Sequence, residues 1–416
     1  MEAKLKKVLH LKDAVAVGLG AIIGAGIFVV TGVAAGVAGP AFLIGLLIAG
    51  VVASFNAVSS AQLAAVYPQS GGTYEYGYRL LNPFLGFSAG WMFLLSKLSA
   101  AGIVAIGFGS YFHQLVPHFP PLVYSVAAII LLTLANLAGI QKAGTINTGI
   151  VLITLLTLVY FIISGIGTLK PQNFVPFAPF GIKGIAQSAA ILFFAFTGYA
   201  RIATLAEEVV EPRKTIPRAV IITILTAIVL YAGVSFIAVG TVGSQAMAHS
   251  RSPLQLASDS MKFPGINLVI TLGASTAMLG VLLSQILGIS RMLLAMGRRR
   301  DLPSFFEKIH RKTSVPHTGI LFTAVVILLI TLLGSFEFVV RAATFTILLY
   351  YSITNLSAIK QPREQQLYGK VIPILGLAGC LAMSVSLPLN VIVSGIVLLG
   401  VGFGVRYLVK KLSPTS

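Results

Sequence analysis

The chain has 416 residues, of which 56% are hydrophobic and only 10% charged, and its formal net charge is +18. Soluble domains carry about 25% charged residues, so this composition predicts a protein that has lipid as its solvent. The basic residues are spread over short gaps between apolar runs, which excludes the basic patch of a nucleic-acid-binding protein. The single cysteine, Cys380, excludes an intrachain disulfide and a cysteine metal cluster.

Twelve apolar runs follow one another along the chain, separated by charged residues, proline or glycine. They cover residues 13–37, 41–66, 84–113, 121–140, 145–168, 184–206, 218–243, 264–296, 317–335, 337–359, 371–387 and 388–408. Because a transmembrane helix needs about 20 apolar residues, we predict an all-α membrane protein with twelve transmembrane helices. The first run is too long for a signal peptide and is expected to remain as the first helix. Residues 1–416 are therefore predicted to form a single transmembrane domain.

The lysine and arginine residues fall mainly on one side of this arrangement. With the N-terminus inside, the inside segments hold 21 Lys and Arg residues and the outside segments hold four. Cytoplasmic loops of membrane proteins carry the excess of positive charge, so both termini are predicted to be cytoplasmic and the membrane to be that of the cell. The basic run Arg298–Arg300 marks the cytoplasmic side and is a candidate contact for anionic lipid.

The first and the sixth run differ from ordinary membrane spans. The first contains four glycines within residues 18–26, and the sixth contains Thr197–Gly198 in the stretch FFAFTGYARIATLAEEV. Each opens a block of five runs, at 13–168 and 184–359, and the last two runs cover 371–408. Interrupted helices at corresponding positions of two halves indicate a transporter built as an inverted repeat, with the first and sixth helices broken. The alternative is that the glycines only allow close helix packing.

A break inside a membrane helix leaves backbone groups that lipid cannot pair, so these groups need protein, water or a ligand. The N-terminus of a half-helix offers free N–H groups and partial positive charge, which suit a carboxylate. The C-terminus offers free carbonyl groups, which suit an ammonium group or a cation. Two opposed breaks therefore fit an amino-acid zwitterion, and glycine lets such a ligand approach the backbone.

Five stretches of the sequence resemble motifs of the amino acid–polyamine–organocation (APC) permeases. They are IGAGIF at 23–28, YPQSGGTY at 67–74, Gly90–Trp91, the segment 193–218, and Arg291 followed by Asp301-Leu302-Pro303. These motifs occur in the order typical of the family and extend over most of the chain. The resemblance implies a five-plus-five inverted repeat with two extra C-terminal helices, and amino acids or related amines as substrates.

The resemblance also implies which residues bind the substrate. The backbone amides that would bind its carboxylate belong to Gly24, Ala25 and Gly26. The carbonyl groups that would receive its amino group belong to Ile22, Ile23, Phe194, Ala195 and Thr197. Phe196 or Tyr199, on either side of the break at Gly198, would cover the bound molecule. Ser284 and Gln285 would line the side-chain pocket, or would instead form hydrogen bonds between helices.

One departure from the family concerns the energising ion. Many proton-coupled relatives have a lysine in the fifth helix, whereas residues 149–165 here contain no charge and Thr154 is the closest match. Ala200 stands where some exchangers have an acidic residue, and Gln62 stands where relatives commonly have a glutamate.

The third run instead contains Lys97, and a charge at membrane depth is costly unless hydrated or paired, which indicates a functional position. Alternatively, Lys97 extends to the cytoplasmic interface. Lys97 and Thr154 are the coupling candidates.

The sequence thus predicts a secondary-active transporter that moves amino acids by alternating access. Proton coupling and ion-independent exchange both remain open as modes of energising, and a substrate-gated channel or a receptor is the alternative from another class. No motif resembles a nucleophile elbow, a phosphate loop or a catalytic carboxylate pair, so neither an enzyme nor a cofactor is expected.

Two ion pairs are also expected from the sequence. Arg201 is expected to pair with Glu207 and Glu208 as a structural cluster or to act as a gate, and Arg341 is expected to pair with Glu337.

Overall fold

The computed structural model describes residues 9–67, 71–139, 143–204, 209–310 and 313–412. Within these ranges the chain is almost entirely helical, and an isolated β-bridge pairs Leu9 with Val209. Each of the twelve predicted runs coincides with helix. The helices are α1 (Leu11–Ile22), α2 (Thr31–Ala38), α3 (Phe42–Val66), α4 (Thr73–Leu80), α5 (Pro83–Leu115), α6 (Pro121–Leu137), α7 (Ala143–Gly165), α8 (Gly181–Phe196), α9 (Ala200–Thr204), α10 (Pro212–Val242), α11 (Ser244–Ala248), α12 (Pro253–Asp259), α13 (Ile266–Arg298), α14 (His317–Leu333), α15 (Phe336–Lys360), α16 (Val371–Ser386) and α17 (Leu389–Leu412).

Eight helical segments of the described chain are long and apolar enough to cross a membrane, and three more apolar helices, α6, α14 and α16, are shorter. The first segment, Leu11–Val66, includes the turn Gly39–Ala41 between α2 and α3, so it covers two of the predicted spans. Large apolar side chains lie on the outer surface, where Leu131 is 65% exposed and Leu156 is 61% exposed. Such a surface suits lipid, and the structure supports an integral membrane protein. The exact count of twelve spans stays a prediction.

The two longest helices, α5 and α13, contain 33 residues each and pack against one another. Gly107 of α5 lies at a close contact, because an added Cβ atom would be 2.8 Å from Val29 Cγ2 and 2.9 Å from Met278 Sδ. Small residues allow helices to approach closely within a membrane. As a result, α5 touches both α13 and the chain just after α1 at this position.

A buried ionic cluster joins α4 to the end of α13 and to α17. The carboxylate of Asp301 accepts hydrogen bonds from Tyr74 (2.7 Å), Tyr78 (2.5 Å) and Arg406 Nε (2.8 Å). The side chain of Asp301 is 1% exposed and that of Arg406 is 12% exposed. Burial, and next the negative charge of Asp301, raise the pKa of Tyr74 above its ordinary value, so its phenol stays protonated and donates. The sequence did not predict α4, although its first two residues, Thr73 and Tyr74, belong to one of the APC-like motifs.

Two expected ion pairs have different outcomes. Arg341 and Glu337 form the i,i+4 pair that their spacing predicts, near the start of α15. The expected cluster of Arg201 with Glu207 and Glu208 cannot be described in the same way, because both glutamates lie outside the described residues.

Candidate functional site

The first helix is broken, as the sequence predicts. Helix α1 ends at Ile22, and Ile23 has the extended angles φ −80° and ψ 104°. The chain then restarts, because the amides of Ile27 and Phe28 both donate to the carbonyl oxygen of Gly24, at 3.2 and 3.3 Å. A π-helical turn, Gly26–Val30, leads into α2. The amides at positions 24–26 therefore belong to the first turn of a new helix, where no intrahelical acceptor is available.

The sixth helix is interrupted more tightly. Helix α8 ends at Phe196, a 3₁₀ turn covers Thr197–Tyr199, and α9 begins at Ala200. Both the amide and the hydroxyl of Thr197 donate to the carbonyl oxygen of Phe194, the hydroxyl across 3.0 Å. The α-helix is thus interrupted by this turn at Thr197–Gly198, where the sequence predicts a break. Because the turn bonds back onto the helix, it leaves fewer free backbone groups than the break after α1.

The two interruptions lie directly against each other through glycine. A Cβ atom at Gly26 would be 2.6 Å from the Cα atom of Ala195, and one at Gly198 would be 2.2 Å from the carbonyl carbon of Ala21. No side chain fits at either position without separating the two segments. Both interpretations of these glycines therefore hold, since the same residues interrupt the helices and allow them to pack.

A small cavity of about 30 Å³ lies between the two interruptions. Nine of the residues predicted to bind substrate line it: Ile22, Gly24, Ala25, Gly26, Phe194, Ala195, Thr197, Gly198 and Gln285. One water molecule needs about 10–15 Å³ of cavity volume, so the cavity has room for about two waters. An amino acid therefore requires the lining side chains to move apart.

Lys97 lines the same cavity, from the middle of α5. Its side chain is half-buried, and its Nζ atom lies 5.8 Å from the centre of the Phe93 ring. Arg201, at the start of α9, lies close enough to act on it electrostatically. Lys97 therefore lies beside both interruptions, and its role in coupling stays a prediction.

Three buried tyrosines on unbroken helices bind the carbonyl groups near the interruptions. Tyr231 of α10 donates to the carbonyl oxygen of Ile22 across 2.9 Å, and the carbonyl oxygen of Ala195, 3.4 Å away, shares the same proton. Tyr351 of α15 donates to Thr197 across 3.1 Å, and Tyr111 of α5 donates to the carbonyl of Phe28 across 2.7 Å. These bonds satisfy backbone groups that lipid could not. The sequence analysis missed all three, although a phenol within an apolar helix usually signals a buried hydrogen bond.

Four of the five carbonyl groups predicted to receive the substrate's amino group are already bonded. Those of Ile22, Phe194, Ala195 and Thr197 each accept a hydrogen bond from a protein donor. A carbonyl oxygen has two lone pairs, so each can accept a second donor. Their role toward a substrate stays a prediction.

Comparison with known proteins identifies the family. A model of the amino acid permease family matches residues 13–411. The chain belongs to the amino acid permease family. An uncharacterised transporter of Mycobacterium tuberculosis is 38% identical to this permease, over 98% of this chain and 93% of its own. The methylthioribose transporter of Bacillus subtilis is 32% identical, over 98% of this chain and 94% of its own length. The branched-chain amino acid permease of the same bacterium is 29% identical, over 99% of this chain and 94% of its own length. The APC resemblance is thereby confirmed, and the permease is a membrane transporter.

Several predicted residues do not line the cavity of the permease. Phe196 and Tyr199 are fully buried, where their rings pack at 5.3 Å against Tyr231 and at 5.4 Å against Tyr351. Neither lines the cavity, so covering a substrate would require them to move. Ile23 is buried beside the break and Ser284 is half-buried on α13, and neither is among the lining residues.

Thr154, the second coupling candidate, is buried in α7. Its hydroxyl donates to the carbonyl of Ile150 across 2.7 Å, one turn earlier in the same helix, and it does not line the cavity. Of the two coupling candidates, only Lys97 reaches the cavity.

Proposed function

We propose that this permease moves amino acids across the cell membrane by alternating access, with the substrate held in the cavity between the two interruptions. One observation supports this most strongly: the same cavity is lined by residues 24–26, whose amides belong to the first turn of a new helix, and by residues at the end of α8. The amides suit a carboxylate and the carbonyl groups suit an ammonium group. A zwitterion matches both at once.

The proposal includes the architecture that the sequence predicts. Twelve spans form two inverted five-helix repeats followed by α16 and α17, and both termini face the cytoplasm. In each repeat the interrupted helix comes first, which places α1–α2 and α8–α9 side by side at the centre. Alternating access then requires these two elements to rock against their surroundings, around a fixed site.

Lys97 is the proposed residue for proton coupling. It lines the cavity from α5, Arg201 acts on it from α9, and Gln285 lines the same cavity from α13. The ring of Phe93, on the same helix, lies near the Nζ atom of Lys97. An ammonium group between these neighbours can lose its proton on one side of the membrane and regain it on the other. The alternative is ion-independent exchange, in which Lys97 keeps its proton throughout.

Uptake into liposomes tests the transport proposal. The purified permease is first screened with all amino acids and polyamines by thermal shift, because a bound ligand raises the apparent stability. The best ligand is then used, radiolabelled, in proteoliposomes and in empty liposomes. Saturable uptake that unlabelled ligand inside the liposomes accelerates is the expected result. Flux that rises linearly with concentration would instead indicate a channel, and binding without flux would indicate a receptor.

A further inference from the structure

The cavity has an unbalanced charge. Lys97 lines it, whereas none of the described residues that line it is acidic. The ion pairs within the described part of the chain involve the carboxylates of Glu75, Glu211, Asp301 and Glu337, and Lys97 belongs to none of these pairs. An ammonium group at membrane depth costs several kcal/mol unless water or an anion compensates it. The cavity therefore favours an anionic group beside Lys97.

The two interrupted helices already account for the backbone part of an amino acid. Under the proposed function, the amides at 24–26 bind its α-carboxylate and the carbonyl groups of α8 receive its α-ammonium group. Lys97 and Gln285 line the cavity from α5 and α13, which are uninterrupted helices. These two side chains consequently meet the part of the substrate that extends away from the interruptions, its side chain.

The rest of this wall is small and apolar. Ala100 and Val104 lie one and two turns after Lys97 on α5, and Val281 lies one turn before Gln285 on α13. None of the three can form a side-chain hydrogen bond. Gln285 is half-buried, and its amide has no hydrogen-bond partner within the described chain. The polar chemistry of this wall is therefore concentrated in one ammonium group and one free amide.

We propose that the permease is selective for amino acids with a carboxylate in the side chain, which the ammonium group of Lys97 binds and the amide of Gln285 supports. This inference rests on the proposed function and names its substrate class. A charge-assisted hydrogen bond between Lys97 and a carboxylate is among the strong ones in proteins. The same charge repels a cationic side chain, so lysine and arginine are rejected. Selectivity requires the proton on Lys97 only while substrate binds, which leaves the coupling proposal independent.

Competition in proteoliposomes tests this inference with matched pairs of ligands. Aspartate and asparagine have nearly the same shape and differ in charge, as do glutamate and glutamine. We expect one of the two acids to bind more tightly than its amide by about tenfold or more, the effect of one charge-assisted hydrogen bond. Lys97→Met, which keeps the length and removes the charge, should abolish the preference, and Lys97→Arg should retain it. Lys360→Met, at the exposed end of α15, is the control that leaves it unchanged.

The possible outcomes separate this inference from the proposed function. Equal binding of acids and amides by the unmodified permease, or an unchanged preference in Lys97→Met, overturns the substrate class while transport stands. Equal loss of every amino acid in Lys97→Met assigns Lys97 to the α-carboxylate and also overturns it. Absence of binding by any amino acid to the unmodified permease removes the proposed function itself.

Discussion

The hydroxyl of Tyr231 donates a hydrogen bond to the carbonyl oxygen of Ile22 across 2.9 Å, which ties the middle of α10 to the last residue of α1. The same hydroxyl lies 3.4 Å from the carbonyl oxygen of Ala195 in α8. One side chain from an unbroken helix thus holds both interrupted helices at their facing ends. The carbonyl groups at the cavity are positioned by a residue that is absent from the cavity lining.

Tyr231→Phe tests this bond with the smallest possible change. The ring stays, while the buried carbonyl of Ile22 loses its donor, which costs about 1–3 kcal/mol. We expect a lower apparent Tm in detergent and weaker substrate binding, measured by thermal shift and by uptake. Tyr160→Phe is the control, since its hydroxyl bonds to Pro264 across 2.8 Å in an exposed position. A substrate affinity equal in both variants would show that Tyr231 has no influence on the site.

Gly198→Ala should separate the two interruptions. The added methyl group would lie 2.2 Å from the carbonyl carbon of Ala21, which is backbone and cannot rotate away. We expect loss of uptake by at least about tenfold and reduced stability, since overpacking typically costs about 1–3 kcal/mol. Gly400→Ala in α17 is the matched control, because an added Cβ there meets no atom within 4 Å. Unchanged uptake by Gly198→Ala would contradict the close approach of the two segments.

Asp301→Asn removes the charge from the cluster that joins α4, α13 and α17. Arg406 would keep its buried charge without a carboxylate to balance it, and such a loss typically costs about 3–5 kcal/mol. The measurement is the apparent Tm of the purified variant, which should fall well below that of the unmodified permease. Glu307→Gln, an exposed residue a few positions later, should leave the Tm unchanged. A similar Tm for both variants would mean that the cluster contributes little to stability.

Lys97→Ala decides between the two modes of energising. Under proton coupling, the variant still binds and exchanges a substrate whose binding does not depend on the charge of Lys97. Its net uptake, however, no longer depends on the external pH. Uptake into proteoliposomes with and without an imposed pH gradient measures this. If the pH profiles of the unmodified permease, Lys97→Ala and Lys97→Arg coincide, coupling through α5 must be abandoned for ion-independent exchange.

Reporter fusions test the predicted orientation in the membrane. Fusions at Ser416 and after Lys142 should report a cytoplasmic location, and a fusion near His249 should report the outside, because the loop charges orient the chain. Each fusion is compared with a reporter of known orientation in the same cells. A cytoplasmic signal at His249 would reject the count of twelve spans.

The sequence was a good guide to the interrupted helices and a poor guide to their surroundings. Gly24 and Gly26 could be found because clustered glycine within an apolar run is a local signal, and Gly198 because it lies in the run that opens the second block of five; the structure interrupts both helices there. Tyr231 and Tyr351 signalled a buried hydrogen bond but not its acceptor. Their partners lie 209 and 154 residues away in the chain, and only the packing of the helices brings them together.

Sequence by itself determined the membrane environment, the helices and the places where two of them are interrupted. These properties depend on local composition, since lipid requires an apolar surface and a helix requires residues that can complete its backbone bonds. The tertiary structure decided that Lys97 and Gln285 line the cavity while Thr154, Phe196 and Tyr199 do not. The direction of a side chain depends on how its helix is rotated against its neighbours, and that rotation results from contacts between residues far apart in the chain.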